Sequence, residues 1–119
     1  MRPFFFRGYI PLESKSMLEL TGKNFDTEVL QSSMPVIVLW GSAMDVNSNE
    51  CALKMEGLEF VGQGRLKLGR VDIDQSPDLV MRFSVRDVPL MVFMMKGMAL
   101  AQDTSFTDKF VTAVYSHLK

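Results

Sequence analysis

The chain has one cysteine, Cys51, and one histidine, His117. A lone thiol cannot close an intramolecular disulfide, which excludes the disulfide framework of a small secreted domain. One Cys and one His cannot furnish a structural zinc site from those ligands either. Neither sign of charge is in excess: 13 basic and 14 acidic residues leave a formal net charge of -1. That balance offers no electrostatic case for nucleic acid or for an anionic membrane surface. No apolar run approaches the roughly 20 residues of a membrane helix. No glycine-rich phosphate loop is present, and no internal repeat or low-complexity segment interrupts the chain. No cofactor is expected.

What is present is a core. The 119 residues suffice for one domain and are too few for two, and 47% of them are apolar. Ten methionines suit an irregular core or a surface that accommodates partners. A reducing intracellular compartment, the cytoplasm or the mitochondrial matrix, is the simplest home for a single thiol.

Residues 1–16 differ from the rest. Phe4, Phe5, Phe6, Tyr9 and Ile10 are interspersed with Arg2 and Arg7. The run is too short for a secretory signal and lacks a small-residue cleavage site. Three readings remain open: a remnant of an organelle presequence, a floppy extension, or an arm that packs its aromatics on a partner. The domain itself is expected over 17–119.

From Met17 the periodicities alternate. Met17 to Leu20 predicts a short strand, and Asn24 to Gln31 a helix stopped by Ser32, Ser33 and Pro35. Val36 to Trp40 is a continuous β-branched and apolar run, as in a strand buried on both faces. Cys51, Met55, Leu58 and Val61 recur at helical spacing up to Gly62 and Gly64. Leu66, Leu68, Val71 and Ile73 predict a strand, although Gly69 breaks strict alternation. Ser76-Pro77-Asp78 reads as an N-cap, a first-turn proline and a first-turn acid. Leu90 to Met95, Lys96-Gly97 and Met98 to Gln102 predict a hairpin. Phe110, Val114 and Leu118 predict a C-terminal helix. The order β-α-β-α-β-α-β-β-α implies an α/β domain, a mixed sheet with helices on both faces.

With these residues in place, the order resembles the thioredoxin family. The matching pieces are Leu20-Thr21, Asn24-Phe25-Asp26, Val29-Leu30, Pro35-Val36-Ile37-Val38, Val71-Asp72-Ile73-Asp74, Ser76-Pro77, Phe83 through Pro89, Phe93 and Lys96-Gly97, without a gap through Gly97. The resemblance covers nearly the whole of 17–119. It implies a thioredoxin-like three-layer α/β/α fold, with a central mixed sheet of four or five strands flanked by four helices. It also implies a cis bond before Pro89.

The same register places the family's C-x-x-C motif on Asp45-Val46-Asn47-Ser48. Dithiol exchange needs an attacking thiolate and a resolving thiol, and neither Asp45 nor Ser48 is one. The tryptophan before the motif falls on Met44, the buried proton-transfer acid on Leu39, the helix lysine on Asn49 and the kinking proline on Leu53. Trp40 takes a position usually held by phenylalanine. The departures agree: a buried carboxylate is costly without chemistry to perform, and Asp45 and Ser48 suit the start of a helix.

The expectation is a redox-inactive module with no catalytic residues and no metal. It would bind an extended segment of a protein partner at a groove formed by Met44, Val46, Val88, Pro89 and Leu90, with backbone pairing at Val88. Phe4, Phe5 and Phe6 would supply a second contact. Its role would be scaffold, assembly subunit or chaperone-like holder. The alternative is a monothiol oxidoreductase using Cys51, which requires that thiol exposed beside Pro89. On a helix face shared with Met55 and Leu58, Cys51 would instead be a small core residue. His117 is expected to be solvated at a helix end, and Asp72 and Asp74 to be ordinary family positions.

Overall fold

The structure, a computed structural model, describes residues 17–118. The expected arm at residues 1–16, with Phe4, Phe5 and Phe6, lies outside the described residues. Five strands form one sheet in the order β1-β3-β2-β4-β5. They are β1 (Met17–Leu20), β2 (Val36–Gly41), β3 (Lys67–Asp72), β4 (Leu90–Met95) and β5 (Met98–Asp103). β1, β3 and β2 run parallel, and β4 is antiparallel to both β2 and β5. The helices are α1 (Val46–Glu56), α2 (Glu59–Gly62), α3 (Pro77–Arg82) and α4 (Asp108–Leu118). No described helix is long and apolar enough to cross a membrane.

β2 is the spine of the core, and all six of its residues are buried. Side chains alternate across a strand, so Ile37 and Leu39 enter one cluster with Cys51, Ala52 and Met55 of α1 and Phe110, Val114 and Leu118 of α4. Val36, Val38 and Trp40 enter another with Phe25, Val29 and Leu79. The two clusters make the three-layer sandwich. The glycine that breaks the β3 pattern has a packing reason: a Cβ on Gly69 would stand 2.5 Å from Leu20 Cδ1, a side chain buried to 1% exposure. The β4–β5 turn places both Lys96 and Gly97 at positive φ, 52° and 78°, as a tight two-residue hairpin requires.

Three local expectations are corrected. The helix expected over 24–31 is a shorter π-helical turn, Asp26–Leu30. Asn24 is drawn into the preceding turn, its Oδ1 accepting from Thr21 N at 2.8 Å and its Nδ2 donating to Glu19 O at 3.0 Å. Such local side-chain bonds compete with helix. The helix expected from Cys51 through Val61 is two. Leu58 turns extended (ψ 135°) and stays buried while α2 restarts at Glu59. The restart seats Phe60 edge-on against Tyr115 with centroids 4.7 Å apart. Finally, Ser76 precedes α3 but makes no side-chain capping bond. It is 3% exposed, packed into the domain instead of turned to the helix end.

Candidate functional site

Trp40 ends the β2–β4 ladder opposite Leu90. The segment leading from β2 into α1 and the Val88–Pro89 bond before β4 therefore share one end of the sheet, an edge made by strand termini and not by an outer strand. The Val88–Pro89 peptide is cis. Pro89 is buried, while Val88 and Leu90 are half-buried and pack against the Trp40 cluster. Met44 and Val46 are 89% and 69% exposed. The β4 ladder begins at Leu90, so the Val88 backbone stands outside the sheet. The five expected groove residues thus lie on one edge, two of them presenting bare apolar side chains to solvent. Two open concavities of the surface lie away from it. One is lined by Met17, Leu18, Met34 and Leu66 among others, the second by Thr21, Gly22, Gln75 and Asp78 among others.

The positions matching the redox motif form a hydrogen-bonded cap. Asp45 is the N-cap of α1, its Oδ2 accepting from Ser48 N at 2.9 Å and from Ser48 Oγ at 2.7 Å. Ser48 is fully buried, and its Oγ in turn accepts from Ser42 N at 3.2 Å. The approach requires a glycine next door, since a Cβ on Gly41 would stand 2.6 Å from Ser48 Oγ. Ser42 Oγ donates to Asp74 Oδ2 at 2.7 Å, and Asn49 Nδ2 donates to Ala43 O at 3.2 Å. The Arg70 guanidinium donates to Asn49 Oδ1 at 2.7 Å and to Ser42 O at 3.4 Å. The backbone N–H and the hydroxyl of the buried serine are thereby both used in structure. The sequence reading found Asp45 and Ser48 but missed Gly41, Ser42, Arg70 and Asp74 as their supports. Only Asp74 carried a signal, as a family match read as ordinary.

Replacing Asp45 by alanine removes the cap and orphans the Ser48 hydroxyl. We expect a loss of about 1–3 kcal/mol, seen as a lower urea midpoint with unchanged slope. A midpoint within error of the parent would show that the cap carries no stability.

Leu39, at the position of the family's buried acid, is 0% exposed within the α1–α4 core. Cys51 is 6% exposed in the same cluster, beside Met55 and Leu58. Burial pushes its thiol above the ordinary value, and Lys54 offsets this in part. A thiol held neutral in this way is a poor nucleophile. The sign of its pH dependence follows from linkage. The unfolded thiol ionises first, so the stability contributed by the buried neutral form is intact below its unfolded value, near 9.0, and is lost as pH rises through the higher folded value. Denaturant midpoints at neutral and strongly alkaline pH should therefore converge between the parent and Cys51→Ala. A constant gap would contradict the burial.

His117 is exposed in the last turn of α4, its Nδ1 2.9 Å from Ala113 O. Asp72 Oδ1 accepts from Asp74 N at 3.0 Å. Among the described residues no three His, Cys, Asp or Glu side chains are grouped to hold a metal ion.

Comparison with known proteins agrees with this architecture. A family model described as Thioredoxin matches residues 16–114. The chain is 22% identical over 102 residues to thioredoxin C-2 of Corynebacterium nephridii, covering 86% of this chain and 94% of that one. It is 27% identical over 79 residues to a thioredoxin of Thiocapsa roseopersicina, covering 66% and 87% of the two chains. It is 29% identical over 80 residues to a thioredoxin of Buchnera aphidicola subsp. Schizaphis graminum, covering 64% and 70%. With most of its length matched by the family model and its sheet, helices and cis-proline in the corresponding order, the chain belongs to the thioredoxin family.

Proposed function

We propose that this chain is a redox-inactive, non-enzymatic thioredoxin-family module that binds a protein partner in a reducing intracellular compartment, as a scaffold, assembly subunit or chaperone-like holder. The observation that carries the reading is the hydrogen-bonded pair at the motif positions. Asp45 and Ser48 cap α1, and the one thiol, Cys51, is buried behind them. An extended segment would lie along the edge beside Pro89, its backbone pairing with Val88 and its side chains on Met44 and Val46. Residues 4–6 would add a second contact.

The names of the relatives favour a second reading, redox exchange, which this chain could perform only as a monothiol through Cys51. A tagged pull-down from the native source, with and without reductant, separates the two. Binding predicts a few proteins in fixed ratio that survive reductant and are still captured by Cys51→Ser. Many adducts that reductant releases, absent from Cys51→Ser, would establish the monothiol reading and end the binding one.

A further inference from the structure

We propose that the segment accepted at this edge is apolar at its centre and flanked by lysine or arginine. The inference rests on the protein-binding reading above and deepens it. The exposed apolar surface does not stop at Met44 and Val46. Leu53, two helical turns after Val46 on the same face of α1, is 67% exposed. Carboxylates from several elements lie at the same end of the sheet as this strip and outnumber the cations there, Lys54, Arg70 and Arg86. Glu50 lies on α1 between Val46 and Leu53, and Asp87 directly precedes Val88. Asp72 stands opposite Gly41 at the end of β3, and Asp103 opposite Met91 at the end of β5. Asp74 follows in the next turn.

The ion pairs found among the described residues, Glu28–Lys67 and Asp26–Arg82, use none of these acids. Arg70 reaches this edge through bonds to the neutral acceptors Ser42 O and Asn49 Oδ1, and Lys54 follows Leu53 on α1, so these two cations offset part of the negative charge without pairing with it. Arg86, beside Asp87, is the nearest cation in sequence to the proline bond. A helix N-terminus would ordinarily favour an anion here, and the Asp45 carboxylate already occupies it. In a chain whose formal net charge is only -1, this edge gathers negative charge around apolar side chains. Charge complementarity then selects a basic rim on an apolar segment.

The test uses the full chain and fluorescent synthetic peptides that share one extended apolar core and carry flanks of lysine, serine or glutamate. The lysine-flanked peptide should bind tightest, should weaken as salt shortens the screening length from about 30 Å to about 8 Å, and should lose about tenfold when Glu50→Lys and Asp87→Lys are combined. Equal binding of the serine- and lysine-flanked peptides, or stronger binding of the glutamate-flanked one, overturns the charge inference and leaves the groove standing. If no peptide binds, or if binding ignores the loss of the Met44 and Val46 side chains, the groove reading falls and this inference with it.

Discussion

Alanine in place of Trp40 should destabilise the domain by about 3–5 kcal/mol, the cost of removing a large aromatic from a core that cannot collapse around the gap. Trp40 is 3% exposed and lies between two other rings, 5.7 Å from Phe25 and 5.7 Å from Phe83, which themselves sit 4.9 Å apart. The cluster ties the turn after β1, the end of β2 and the end of α3 to one point beneath the Val88–Pro89 edge. A domain of this kind has about 5–15 kcal/mol of total stability, so the loss is a large share of it. At about 4–8 °C per kcal/mol, the thermal midpoint followed by circular dichroism should fall by more than ten degrees. Trp40→Phe should recover much of that loss, because it keeps an aromatic in the cluster. A midpoint for the alanine variant within a few degrees of the parent would refute this account of the core.

The second large effect concerns binding alone. Serine at both Met44 and Val46 should reduce capture of the partner at least tenfold while leaving the thermal midpoint nearly unchanged. Both side chains are mostly exposed, at 89% and 69%, and exposed substitutions of this kind move stability by about 0.5 kcal/mol. Full burial of a methionine or valine against a partner contributes about 1.5–3 kcal/mol each, and a tenfold change in affinity needs only about 1.4 kcal/mol. Serine is preferred to aspartate because it leaves the charge of the edge as it is. Quantitative pull-down against the parent chain measures the effect. Undiminished capture by a folded double variant would place the partner elsewhere on the molecule.

Element types were legible in the sequence because they depend on local period. The short, β-branched apolar run Val36–Trp40 is typical of a strand covered on both sides, and the four-residue spacing of Phe110, Val114 and Leu118 is that of one face of a helix. The loss of the dithiol was likewise plain from residue identity, with Asp45 and Ser48 in place and Cys51 alone. The π-helical turn at Asp26–Leu30 and the break at Leu58 were not legible. Each follows from a competing contact, the Asn24 bonds to Thr21 and Glu19 in one case and the Phe60–Tyr115 packing in the other.

The supports of the site depend on distance in space, which no local pattern encodes. Ser42 meets Asp74 across 32 positions and Arg70 meets Asn49 across 21. Gly41 matters only because Ser48 tucks against it. By itself the sequence determined the kind of fold and the absence of a second thiol, since both are written in residue type and spacing. The helix-start role of Asp45 and Ser48 was legible too, but only the tertiary structure closed it into a polar network beneath an exposed apolar edge, because parallel pairing of β2 with β3 and antiparallel pairing of β2 with β4 bring the ends of β2 and β3 and the start of β4 side by side.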